Sequence, residues 1–149
     1  MKTGDLIPDL SLSNEQGELI SLRKFIGLKS MVVYFYPKDD TTGCTREACA
    51  FRDHYEDFTE AGAEVIGISA DDEKSHQHFA AKNKLPFNLL SDPDKKAQQA
   101  FGVKRGLLGL VSGRETFVFN REGKLIHQFS SLIRFEQHVK EALKAIKGE

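Results

Sequence analysis

Two kinds of apolar pattern predict the strands of this protein. The runs Met31–Tyr36 and Ala63–Ser69 are almost uninterrupted and rich in branched and aromatic residues, which is typical of strands buried on both faces. We therefore expect these two strands to be central and parallel. Alternating polar and apolar positions around turn residues predict two hairpins, one over Leu10–Leu22 and one over Glu115–Phe129.

Apolar residues spaced by three and four predict a helix between the two buried strands. This helix extends from Cys44 to Ala61, and Gly62 is its expected stop. Further predicted elements are helices over Asp72–Asn83, Lys95–Phe101 and Arg134–Lys147 and a short strand over Phe87–Leu90. The last helix is expected to bury Phe135, His138, Val139, Leu143 and Ile146. Because strand, helix and strand in this order form a βαβ crossover, the predicted fold is an α/β sandwich with a mixed central sheet flanked by helices.

Composition narrows the class of protein. The chain has 149 residues, 40% hydrophobic and 29% charged, so we expect one globular domain over 1–149 with a sizeable core. A formal net charge of -1 gives no basic field to attract nucleic acid or anionic membranes. No start of signal-peptide type is present, which favours a cytoplasmic location. There, two cysteines are better suited to redox chemistry or metal binding than to a permanent disulfide.

Cys44 lies at the predicted start of a helix, where free backbone N–H groups and the helix dipole favour an anion. A thiolate would be stabilised there, and Arg46 could add to the effect. The alternative is that Cys44 packs as a small hydrophobic residue. Thr41 lies within reach of a bound oxygen atom, or it simply caps the helix. Gly43 either lets the backbone approach a small ligand or serves a turn with unusual dihedral angles.

Cys49 follows Cys44 by five positions. On an intact helix the two α-carbons are about 8 to 9 Å apart, beyond the ~7 Å limit for a disulfide without backbone movement. A bond between these thiols therefore requires the first helical turns to unwind. The alternative for Cys49 is ordinary packing in the core.

The segment Phe35–Cys49 closely resembles the active-site segment of the peroxiredoxins of the bacterioferritin-comigratory, or Q, type. It carries the Pro-x-x-x-Thr-x-x-Cys signature of that family at Pro37, Thr41 and Cys44. Thr42 departs from the pattern, because many relatives have proline there. The order of predicted elements along the whole chain also resembles the thioredoxin-like fold of this family, a three-layer sandwich.

The resemblance implies a role for each matching residue. Cys44 would be the peroxidatic cysteine and Cys49 the resolving cysteine. Thr41 would hold the peroxide oxygen, and Pro37 would shield the thiolate from water. The family also uses a distant arginine before a late strand, and Arg114 has the matching position.

Some residues keep alternative interpretations. Glu47 would orient Arg114, or it is an acidic residue favoured by the dipole in the first turn. Arg114 itself could be an ordinary solvated residue, and Arg105 would then be the next candidate. His76 and His78 point to different sides of a helix, and no Cys-x-x-Cys accompanies them, so no zinc site is expected.

The resulting interpretation is a thiol peroxidase that reduces a hydroperoxide, forms a Cys44–Cys49 disulfide and is recycled by thioredoxin or a similar dithiol. It needs no metal or organic cofactor, and we expect a monomer or at most a weak dimer. Two alternatives remain. One is a redox-responsive binding protein or holdase that uses the same cysteine switch, and the other is a thioredoxin-like domain with inert thiols.

Overall fold

The structure, a computed structural model, describes residues 1–103 and 114–148. Its strands are β1 (Ser11–Ser13), β2 (Leu19–Ser21), β3 (Ser30–Phe35), β4 (Ala63–Ser69), β5 (Asn88–Ser91), β6 (Glu115–Phe119) and β7 (Leu125–Ser130). Its helices are α1 (Thr42–Asp53), α2 (Tyr55–Glu60), α3 (Glu73–Asn83), α4 (Lys96–Phe101) and α5 (Phe135–Lys147). A single turn of 3₁₀ helix covers Leu22–Phe25.

The main sheet is mixed, as the sequence predicts. Within the described residues it has five strands in the order β5-β4-β3-β6-β7. The pairs β3–β4 and β4–β5 are parallel, whereas β3–β6 and β6–β7 are antiparallel. The prediction that the two apolar runs form central, parallel strands is therefore confirmed. Both predicted hairpins are present as the antiparallel pairs β1–β2 and β6–β7.

The two faces of β3 build two separate cores. Val32, Tyr34 and Tyr36 point to the side covered by α1, α2, α3 and α5. Met31 and its alternate neighbours point to the opposite side, where α4 and the N-terminal segment pack. Because side chains alternate along a strand, this one apolar run serves both layers. Cys44 belongs to the first core, so the cysteine and α5 lie on the same side of the sheet.

The predicted helix over Cys44–Ala61 is wrong in two respects. It begins earlier, at Thr42, because the Thr41 carbonyl already accepts a hydrogen bond from the Thr45 N–H at 2.9 Å. It is also two helices, since His54 (φ -107°, ψ 7°) interrupts it. The break lets α2 pack on β4, where the Tyr55 hydroxyl donates to Glu64 Oε1 at 2.8 Å.

The inner face of α5 also differs in part from the prediction. His138, Val139 and Ile146 are buried as expected, but Ala142 joins them, while Phe135 and Leu143 are only half-buried. Phe135 is drawn instead to the start of α1, as described below. Among the described residues, none of the helices is long and apolar enough to span a membrane.

Candidate active site

Cys44 lies beyond the carboxyl end of β3, in the first turn of α1. It is the third residue of the helix and is 1% exposed. The first four N–H groups of a helix have no partner within the helix, so the Cys44 N–H remains available to an acceptor. The thiol is free. It is buried, and it lies at a position in the helix that favours an anion.

Arg114 reaches Cys44 from the other side of the site. It immediately precedes β6 and is 5% exposed, so it is not the solvated residue of the alternative interpretation. Its Nη2 donates to Cys44 Sγ at 3.3 Å, and its Nη1 donates to Glu47 Oε1 at 2.7 Å. Its Nε donates to the Leu132 carbonyl at 3.3 Å, which fixes the plane of the guanidinium. Arg105, the other candidate, lies outside the described residues.

Glu47 is fully buried one helical turn after Cys44. Burial raises the pKa of Glu47 to about 7, although the attraction of Arg114 acts in the opposite direction. Its Oε2 has no hydrogen-bond partner in the part of the chain that the structure describes, and it lies 3.7 Å from Nδ1 of His138. The structure thus brings Glu47 and Arg114 together. The alternative of an acidic residue in the first turn is wrong, because α1 begins at Thr42 and Glu47 is its sixth residue.

His138 on α5 completes the buried polar group. Its Nε2 lies 2.8 Å from the Ser131 carbonyl, which can only accept, so Nε2 carries the proton. Burial lowers the pKa of His138 to about 4, and the positive charge of Arg114 adds to this effect. The neutral ring therefore presents a lone pair at Nδ1, which accepts from the Thr116 hydroxyl at 2.8 Å.

Gly43 is required by the close approach of two side chains, and the approach of a small ligand to its backbone stays a prediction. A Cβ at this position would lie 2.8 Å from Phe135 Cζ and 3.3 Å from Arg114 Nη2. Its φ is not positive, so the expectation of an unusual turn conformation is wrong. The ring of Phe135 is also held by two guanidinium groups, with Cζ of Arg114 at 4.9 Å and Cζ of Arg46 at 5.4 Å from its centroid.

Thr41 is exposed at the N-cap of α1, and Pro37 lies in the loop that precedes it. The Thr41 side chain makes no capping hydrogen bond, and its hydroxyl donates to the Lys38 carbonyl at 3.0 Å. With its proton so used, the oxygen keeps its lone pairs for another donor. Pro37 is half-buried. The roles of Thr41 in holding peroxide and of Pro37 in shielding the thiolate stay predictions.

Cys49 lies on the same intact helix as Cys44, as predicted, but faces another element. It is half-buried, it is free, and its Sγ lies 3.8 Å from Asn83 Oδ1 at the end of α3. Arg52 strengthens this contact, because its Nη1 donates to the Asn83 carbonyl at 2.8 Å. Both thiols on one unbroken helix fit the expectation that a bond between them requires α1 to unwind.

A second buried polar cluster lies behind the loop that precedes α1. Nδ1 of His76 lies 2.7 Å from Asp39 Oδ2, and the Tyr36 hydroxyl donates to Asp39 Oδ1 at 2.6 Å. One ligand atom each from Asp39, Asp71 and His76 lie within 4.8 Å of one another, so these residues could hold a metal ion. Protein donors already engage them, however: Ser75 donates to Asp39, and Ser69 donates to Asp71. We therefore interpret this cluster as support for the loop.

The sequence prediction missed the roles of His138, Thr116 and Phe135. The available signal was His138, a histidine on the predicted inner face of a helix, because a buried imidazole needs hydrogen-bond partners. The periodicity of α5 did not indicate which partners these would be. Thr116 is the next residue but one after Arg114 and gave no separate signal.

Comparison with known proteins gives consistent matches. The AhpC/TSA family matches residues 3–128. Peroxiredoxin Q, chloroplastic, from Sedum lineare is 47% identical over 97% of this chain and 77% of its own length. The wheat protein of the same name is 46% identical over 97% of this chain, which spans 66% of that protein. The crystal structure of peroxidoxin BcpB from Mycobacterium tuberculosis superposes with a TM-score of 0.91 at 37% identity, covering 99% of this chain and 97% of that one.

Proposed function

We propose that this chain, which belongs to the AhpC/TSA family and to its peroxiredoxin Q branch, is a thiol-dependent peroxidase with Cys44 as its nucleophile. The observation that carries this proposal is the buried Arg114 guanidinium, 3.3 Å from Cys44 Sγ. A permanent cation beside a thiol in the first turn of a helix stabilises the reactive thiolate. The substrates are hydrogen peroxide and organic hydroperoxides.

In the first step the Cys44 thiolate attacks the terminal oxygen of the hydroperoxide. The S–O bond forms as the O–O bond breaks, so the sulfur is oxidised to a sulfenic acid and the peroxide is reduced. The leaving hydroxide or alkoxide takes up a proton and departs as water or alcohol. Arg114 and the Cys44 N–H stabilise the charge that develops on the two oxygens, and Thr41 offers its hydroxyl oxygen to the proton of the peroxide.

In the second step the thiol of Cys49 attacks the sulfenic sulfur. A disulfide forms and water leaves. A dithiol of the thioredoxin type then returns both thiols by supplying two electrons and two protons. The chain's own residues supply all groups required, so the proposal includes no metal or organic cofactor. It also includes a monomeric state, or at most a weak dimer, and a cytoplasmic location where such a reductant is kept reduced.

The test is a coupled assay that follows NADPH oxidation in the presence of thioredoxin, thioredoxin reductase and peroxide. We expect steady turnover with hydrogen peroxide and with organic hydroperoxides, and none in the variant C44S. Reversible oxidation without sustained NADPH consumption would contradict the proposal and favour a redox-responsive binding protein. Slow alkylation of Cys44 at pH 6, as for an ordinary thiol, would instead indicate inert thiols.

A further inference from the structure

One buried cation in this site faces two acids. Arg114 contacts Cys44 through Nη2 and Glu47 through Nη1, at 3.3 and 2.7 Å. Cys44 is 1% exposed and Glu47 is 0% exposed, so water cannot stabilise either anion well. One guanidinium balances a single negative charge, and a second anion in the same buried space is unfavourable. Cys44 and Glu47 therefore compete for the charge of Arg114.

The far oxygen of Glu47 shows where a proton can be held. Within residues 1–103 and 114–148, Oε2 has no hydrogen-bond donor although it is buried, and a buried carboxylate oxygen without a donor is unfavourable. It lies 3.7 Å from Nδ1 of His138, the ring nitrogen that presents a lone pair because Nε2 carries the proton toward Ser131. That lone pair accepts from the Thr116 hydroxyl at 2.8 Å in this structure. When the hydroxyl turns away, Nδ1 can accept from a protonated Oε2, whereas an ionised Oε2 would face the lone pair.

We propose that Cys44 and Glu47 share one proton across Arg114, with His138 as the positioning residue that accepts the proton of Glu47 when Cys44 is a thiolate. In the exchange the S–H bond breaks, an O–H bond forms at Oε2, and the negative charge moves from Glu47 to sulfur. Together with Arg114, the group is neutral in both forms. The inference rests on the peroxidase function proposed above, because it explains how the nucleophilic form of Cys44 arises without a second buried anion.

The other charged and titratable groups that the structure describes around Glu47 do not compete for this proton near neutral pH. The pKa of Tyr34 on β3 is raised well above its ordinary value by burial. The pKa of His138 on α5 is lowered by burial to about 4, and Arg114 stays charged because Glu47 and Cys44 outweigh the effect of its burial on its pKa. Glu47, with its pKa raised to about 7 by burial, is thus able to exchange a proton in the physiological range.

The direct test is infrared spectroscopy of the reduced protein as a function of pH, which detects the C=O stretch of a protonated carboxylic acid. We expect this band at pH 7, and we expect it to be absent from E47Q. In C44S, which has no competing anion, the band should disappear near pH 7, the pKa that burial gives Glu47, and in the wild type it should persist to a pH about two units higher. This shift corresponds to two unit charges about 6 Å apart at an effective dielectric constant of about 20.

The proposal is overturned if no glutamate band is present at pH 7, or if the band disappears at the same pH in C44S and in the wild type. If E47Q does not fold, glutamate-selective isotope labelling assigns the band without it. The experiment involves neither peroxide nor reductase. Failure of the shared proton is therefore distinguishable from failure of the peroxidase function, which the coupled assay tests.

Two substitutions with opposite expected effects test the role of His138. In a C49S background, H138F removes the acceptor at Nδ1 and should slow alkylation of Cys44 at pH 6.5 several-fold. T116V removes the hydroxyl that now occupies Nδ1 and should leave alkylation as fast as in C49S or faster, and H138Q should restore part of the loss seen in H138F. Equal slowing by H138F and T116V would indicate general structural damage and would overturn the positioning role.

Discussion

The carboxyl of Glu47 makes the stability of the protein depend on pH in a way that can be calculated. Its pKa is raised from 4.5 to about 7, chiefly by burial. A group whose folded pKa lies above its unfolded pKa contributes stability that is complete below the unfolded value and is lost as the pH rises through the folded value. The difference of about 2.5 units corresponds to about 3 kcal/mol, lost between pH 4.5 and pH 8.

The perturbation that isolates this contribution is E47Q in a C44S background, which removes the competing thiol. Glutamine keeps the size of the side chain but does not titrate. We expect the free energy of unfolding of C44S/E47Q, relative to that of C44S, to increase by about 3 kcal/mol from pH 4.5 to pH 8.

The measurement is urea denaturation of both proteins at pH intervals, followed by circular dichroism because the chain contains no tryptophan. The matched control is C44S/E136Q, in which the substituted glutamate lies on the exposed side of α5. The free energy of unfolding of this control should vary with pH in parallel with that of C44S. If the profiles of C44S and C44S/E47Q are parallel to within about 1 kcal/mol, Glu47 ionises like an ordinary carboxyl and the electrostatic argument is refuted.

Three further predictions follow from contacts of α1. R114A should slow the reaction of Cys44 with hydrogen peroxide at least tenfold in stopped-flow measurements. The control R121A, on the distant β6–β7 hairpin, should not slow it. Equal rates in the two variants would exclude Arg114 from the reaction. G43A places a methyl group 2.8 Å from Phe135 Cζ and should lower the free energy of unfolding, measured by urea denaturation, by about 1 to 3 kcal/mol. Adding F135L should restore part of this loss. If the effects of the two substitutions on the free energy of unfolding simply add, the two residues do not conflict. In the disulfide form, amide hydrogen exchange across Thr42–Asp53 should be faster than in the reduced form, and identical protection in both forms would show that disulfide formation leaves α1 wound.

The strands and the position of the reactive cysteine followed from local patterns. Uninterrupted branched and aromatic residues predict strands buried on both faces, and β3 uses each face for a different core. The helix boundaries were less accurate, because the Thr41–Thr45 hydrogen bond and the interruption at His54 depend on contacts that periodicity does not contain.

The residues around the thiol could be predicted only in part, because they come from distant segments of the chain. Arg114 is 70 positions from Cys44 in sequence, and only the family resemblance pointed to it. His138 could be predicted to be buried, but its lone pair toward Glu47 depends on the packing of α5 against α1 and on the Ser131 carbonyl. Gly43 was expected to allow a close approach, yet the approaching group, Phe135, was visible only in the fold.

The most direct test of the peroxidase account is mass spectrometry after one equivalent of hydrogen peroxide. In the reduced variant C49S, we expect one oxygen atom to be added at Cys44, trapped as sulfenic acid by a dimedone-type reagent. The variant C44S, which retains Cys49, should add none in the same time, and the wild type should instead lose two hydrogens as the disulfide forms. Oxygen added at Cys49 in C44S at the rate seen for Cys44, or no reaction of C49S, would contradict the assignment of Cys44 as the nucleophile.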